Sequence, residues 1–149
     1  MTKKLIFIQL NEINIDLIKK YALKKKFKFF TNDVLNKTIT TKSENDYKNI
    51  EPWIQWVSVN TGKTANEHKV FRLGDIVNSK DKQIYEKIEE MGFKVGAICP
   101  MNTLNNLDKP KYFISDPWTK NKQSTSYFET KLTNAICQIV NNNSNKKFL

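Results

Sequence analysis

Short, continuous apolar runs alternate along this chain with segments whose apolar residues recur at helical spacing, and that alternation restricts the fold more than any other feature. "LIFIQL" at residues 5–10 and "FKVGAICPM" at 93–101 are largely apolar at consecutive positions, as in parallel strands buried on both faces. "KYFISD" at 111–116 reads as a third, shorter strand. Between these runs, Ile15, Leu17, Ile18, Tyr21 and Leu23 stripe one helix with lysines in between. Ile84, Tyr85, Ile88 and Met91 stripe another, with Asp81 near its start and Gly92 as its stop. "STSYFETKLTNAICQIV" opens on cap-type residues and sets Phe128, Leu132, Ala135, Ile136 and Ile139 on one face. Strands alternating with helices imply an α/β fold, a mostly parallel sheet sandwiched by helices. The expected organisation is one domain over residues 1–140 and a frayed polar tail at 141–149. Residues 27–43 read as a helical turn around 31–35 followed by a strand at 36–41.

The chain has 149 residues, enough for one sizeable core, and 39% of them are hydrophobic. No apolar run approaches the ~20 residues that a membrane-spanning helix needs. The apolar stretch after Lys4 is cut short by Asn11 and Glu12, which reads as a buried strand rather than a signal peptide and implies a cytoplasmic protein. A net charge of +10 raises the question of nucleic acid. Yet 24 of the 25 basic residues are lysines and Arg72 is the only arginine, whereas phosphate and base recognition favour arginine's planar fork. The lysines are scattered apart from "KKKFK" at 24–28 and are matched by eighteen asparagines, so the charge reads as a solvated surface. Cys99 and Cys137, 38 residues apart with no CxxC spacing, read as buried free thiols.

Two stretches hold residues able to do chemistry. Ligands of open α/β sheets bind beyond the carboxyl ends of strands. Asn11 and Glu12, directly after "LIFIQL", occupy such a position. They are placed either to meet a metal or phosphate, or to cap the next helix and favour its dipole. The second stretch is "EPWIQWVSVNTGKTANEH" at 51–68. Pro52 suits the first turn of a helix, Trp53, Trp56 and Val57 suit its inner face, and Thr61-Gly62 would end it. His68, the only histidine, would follow in a loop, where a structural role outweighs a catalytic one. GxGxxG, GxSxG and P-loop patterns are absent.

Taken in order, "KLIFIQLNEINIDLIKKY", "WVSVNTGKTANEHKVFRLGD", "GFKVGAICPMNT" and "YFISDPW" resemble the amino-terminal part of the alkaline-phosphatase superfamily, in particular its type I phosphodiesterase/nucleotide-pyrophosphatase branch. The resemblance spans residues 3–118 and implies an alkaline-phosphatase-like core, hydrolysis of phosphate or sulfate esters of small molecules, and a divalent metal such as zinc or manganese. It sets the first metal-binding position on Asn11, with Glu12 beside it as an anionic donor. It sets the nucleophile, normally a hydroxyl residue nine positions before the Thr of Thr-Gly, on Pro52, preceded by Glu51. Proline has no hydroxyl to activate, which leaves Glu51 as the residue there with acid-base capacity. The family's remaining metal ligands are Asp and His residues from later in a longer chain, and this chain has one histidine. The chain is therefore expected to be a fragment or shortened relative, inactive in isolation and prone to self-association through uncovered sheet surface. Two other readings stay open: a non-catalytic relative that binds a ligand or partner, and a small basic nucleic-acid-binding protein.

Overall fold

The computed structural model describes residues 4–122, 124 and 126–144, with the side chains at 139 and 141–144 outside the description. It is an α/β structure that divides into two compact units, Met1–Lys42 and Ser43–Leu149.

The first unit is built around α1 (Ile15–Lys24). Asn14 caps it: the side-chain oxygen accepts the Leu17 N–H at 2.9 Å. A π-helical turn at Phe30–Val34 and a 3-10 turn at Leu35–Lys37 follow. The helical turn expected near 31–35 is therefore present, and the strand expected at 36–41 is not. The stretch 5–10 is likewise not a strand. It takes no regular secondary structure, and Leu5 and Ile6 are 80% and 84% exposed. A strand exists only through its partners, and none of the described residues of this unit forms one. Ala22 is the only buried residue of the unit among those described. About forty residues are too few to close a core of their own.

The second unit carries the remaining elements. In α2 (Pro52–Thr61), Ile54, Val57, Asn60 and Thr61 are buried, a three-and-four spacing along one face. Trp53 and Trp56, expected on the inner face, are half-buried at its margins. Gly62 ends the helix at φ +73°, the left-handed conformation that glycine adopts without a Cβ penalty. A capping box on Thr64 and Glu67 starts the short α3 (Ala65–His68), so His68 ends a helix instead of lying in a loop. A second capping box, on Gln83 and Glu86, starts α4 (Ile84–Glu90), and Gly92 follows it at φ +85°.

Strands β1 (Gly96–Ile98) and β2 (Tyr112–Ile114) pair in parallel, with Gly96 opposite Tyr112, Ala97 opposite Phe113 and Ile98 opposite Ile114. Both are shorter than the apolar runs that contain them. Gly96 has a packing reason: a Cβ there would run into the ring of its cross-strand neighbour Tyr112.

Helix α5 (Tyr127–Ser144) extends four residues into the expected polar tail; 145–149 lie outside the described residues. Among its described side chains, Glu129, Thr130, Leu132, Thr133, Ile136, Cys137 and Val140 are half-buried. Phe128 and Ala135, expected on the inner face, are exposed, and the side chain of Ile139 lies outside the description.

Val57, Val70 and Ile76 form the apolar centre of the second unit, with Leu104 packed on it. The interior also holds His68, Gln83, Asn60, Asn102, Thr103 and Asp116, all buried. Among the described residues, no buried side-chain nitrogen or oxygen lacks a hydrogen-bond partner.

Candidate functional site

Parallel strands need a connection of a dozen or more residues, usually containing a helix. Residues 99–111, between β1 and β2, form no helix, so their backbone groups need other partners. Side-chain amides and a carboxylate supply them. Gln83 donates from Nε2 to the Leu104 carbonyl at 2.9 Å and accepts the Leu104 N–H at 3.3 Å. Asn121 donates to the Thr103 carbonyl at 3.0 Å and accepts the Asn105 N–H at 2.6 Å. Glu89 accepts the N–H groups of Asp108 and Lys109 at 2.8 and 2.9 Å.

The centre of this network is Asn102, fully buried and left-handed at φ +49°, a conformation asparagine tolerates better than most residues. Its Nδ2 donates to the carbonyls of Trp53 at 2.9 Å and Arg72 at 3.0 Å, and its Oδ1 accepts the Gly74 N–H at 2.9 Å. Its backbone N–H donates to Asp116 Oδ2 at 2.7 Å. Asp116 follows β2 and Asn102 follows β1, so the carboxyl ends of both strands meet at this pair. Trp53 is the second residue of α2, and its indole Nε1 donates to the Phe71 carbonyl at 3.1 Å. The start of α2, the loop bearing Arg72 and both strand ends are thus joined around one amide. Glu51 and Pro52 stand at this junction: Pro52 opens α2, and Glu51 is the residue before it, exposed and with no capping bond from its side chain. The chain's one guanidinium, also exposed, leaves from the same loop.

Asp116, which sequence reasoning passed over, has no capacity left for a ligand. Its Oδ2 also accepts the Thr119 hydroxyl at 2.8 Å, and its Oδ1 accepts the N–H groups of Trp118 and Thr119 at 2.8 Å each. With the bond from Asn102 that makes four, about the number of lone-pair sites a carboxylate offers.

His68 is a structural residue by its hydrogen bonding. Its Nδ1 accepts the Val70 N–H at 3.0 Å, so the neutral ring carries its proton on Nε2. Nε2 lies 3.0 Å from Ser58 Oγ and donates to it. A histidine that activates a hydroxyl must accept its proton; here the proton points the other way. Burial holds the imidazole below its usual pKa, against the opposing pull of Asp81, Glu44 and Glu67, and keeps it neutral.

In the first unit, Asn11 and Glu12 share an exposed bend before α1, with Glu12 at φ +55°. Asn14, not Asn11, supplies the cap. The divalent metal implied by the resemblance needs several anionic or imidazole donors in one place. Among the described residues, no three His, Cys, Asp or Glu side chains are grouped to hold one, so this donor set does not fit a metal centre. The thiols differ from expectation in one respect: both are free, but Cys99 is exposed and Cys137 half-buried.

No family model matches this sequence, and no curated protein or solved structure matches it significantly. Among the described residues, no helix is long and apolar enough to cross a membrane.

Proposed function

We propose that the protein is hydrolase-like, built on an alkaline-phosphatase-type scaffold, and that it receives a phosphate or sulfate ester of a small molecule at the start of α2. The observation that carries this reading is the Asn102 bond to the Trp53 carbonyl, which ties the opening of α2 to the carboxyl ends of β1 and β2. That is where ligands of parallel α/β folds bind. The finer architecture, a larger parallel sheet sandwiched by helices, belongs to the same proposal.

Catalysis by this chain alone is not part of the reading. Pro52 removes the side-chain oxygen from the position where a covalent phosphoryl intermediate would form. Glu51 is the remaining acid-base residue at that point, suited to draw a proton from water. Removing charge from Glu51 lowers repulsion toward an anionic ester, whereas removing it from Arg72 lowers attraction.

The two tryptophans of α2 give a direct test. Titration with an aryl phosphate diester is expected to change their fluorescence saturably, more tightly in Glu51→Gln and more weakly in Arg72→Ala. Release of the aryl group is expected to stay at background with added zinc or manganese. A flat titration overturns the ligand reading, and turnover above background overturns the non-catalytic part.

A further inference from the structure

Helix α5 runs alongside β2 and the residues that follow it, in the same direction. Glu129 Oε2 accepts the Phe113 N–H at 3.1 Å, and eight residues later Cys137 Sγ lies 3.9 Å from the Pro117 carbonyl. Eight helical residues advance ~12 Å and four extended residues ~13 Å, so the two contacts keep step. The match brings Cys137 to the carboxyl end of β2. On the neighbouring strand, Cys99 directly follows β1, and its N–H donates to the Ile114 carbonyl at 2.8 Å. Its Sγ lies 3.8 Å from the Ser115 carbonyl. The two thiols therefore rest on carbonyls two residues apart, at one end of one sheet. They were separated by 38 positions in sequence, with nothing in their spacing to pair them.

We infer that Cys99 and Cys137 form a dithiol site, oxidised to an intramolecular disulfide by a low-molecular-weight disulfide such as oxidised glutathione. Cys99, the exposed thiol, reacts first. Its thiolate attacks one sulfur of the small disulfide, forming a mixed disulfide and expelling one thiolate, which takes up the proton that Cys99 lost. The Cys137 thiolate then attacks Cys99 Sγ and expels the second small thiol. Two protein thiols and one small disulfide become one protein disulfide and two small thiols. Although the residue is exposed, partial desolvation of its sulfur raises the Cys99 thiol above its usual pKa, with Asp116 and Cys137 adding to it, so the first step accelerates as the pH rises above neutral.

The folded protein is incubated with oxidised glutathione and its intact mass is measured, followed by peptide mapping without reduction. The expected product has lost two hydrogens and yields one linked peptide pair containing Cys99 and Cys137. Cys137→Ser should stop at a single glutathione adduct on Cys99, and Cys99→Ser should react more slowly. Wild type that stops at stable glutathione adducts, or that links only between chains, overturns the proposal. Each protein is first reduced and freed of reductant, and maleimide labelling of the unfolded chain should count two free thiols in the wild type and one in each variant.

Discussion

Replacing Asn102 with alanine removes three side-chain hydrogen bonds and leaves the Trp53 and Arg72 carbonyls and the Gly74 N–H without their buried partner. It also sets alanine in a left-handed conformation. Urea unfolding of Asn102→Ala should show a loss on the order of 3 kcal/mol or more, because each stranded polar group costs about 1–3 kcal/mol. His68 gives a pH signature of known sign. Its folded pKa is depressed, so the unfolded chain takes up a proton first as the pH drops. The associated stability is fully present above pH ~6.5 and declines as the pH falls toward the folded value. Unfolding measured at several pH values should show that decline in wild type and a flatter profile in His68→Phe. Little of this was legible in the sequence. Asparagines scattered through a lysine-rich chain read as bias, because an amide's structural value depends on backbone groups that only the fold brings near it. The spacing from Pro52 to Thr61-Gly62 did identify a helix with its ends, since proline and glycine act on their own backbone.

At the level of elements, periodicity located α1, α4 and α5 but not always their inner faces: Ile15, Leu17, Tyr21 and Leu23 of α1 are exposed, and on α5 Leu132 and Ile136 lie on the half-buried face as expected while Phe128 and Ala135 do not. The half-buried stripe of α5 passes through Glu129 and Cys137, which bond to the β2 segment, and leaves Phe128 outside. A stripe drawn from apolarity alone favours Phe128; the hydrogen bonds decide otherwise. Strand lengths were overestimated for a related reason: an apolar run shows what can be buried, and pairing shows what is. In the β1–β2 pair, the end of the exposed Tyr112 ring can swing away from a new Cβ and valine favours a strand more than glycine does, so Gly96→Val should change stability by less than about 1 kcal/mol in thermal or chemical unfolding. Gly74→Ala faces backbone instead of a side chain: its Cβ would lie 2.8 Å from the Trp118 carbonyl oxygen, at φ +84°. It should cost more, with less room for relief. Closing the Cys99–Cys137 loop should raise stability by about 4 kcal/mol by restricting the unfolded chain, measured as the difference between oxidised and reduced protein.

At the level of the molecule, the apolar residues that sequence reading assigned to a buried first strand stand exposed in the first unit. Exposed apolar stretches of this kind drive association. Light scattering should show mass rising with concentration, and Ile6→Lys with Ile8→Lys should reduce it; a wild-type monomer across the range would refute the expectation. The charge of +10 opposes that association by self-repulsion, so added salt should strengthen it. The Asn102 junction also orders events in time. It joins Trp53 to a residue 49 positions later, and its own N–H waits for Asp116. On a ribosome, α2 can coil as soon as it emerges, but the position of its first turn stays unfixed until Asp116 has followed it out. The start of α2 is therefore expected to settle later than the body of that helix, and hydrogen exchange during synthesis should find it protected only after residue 116 has emerged.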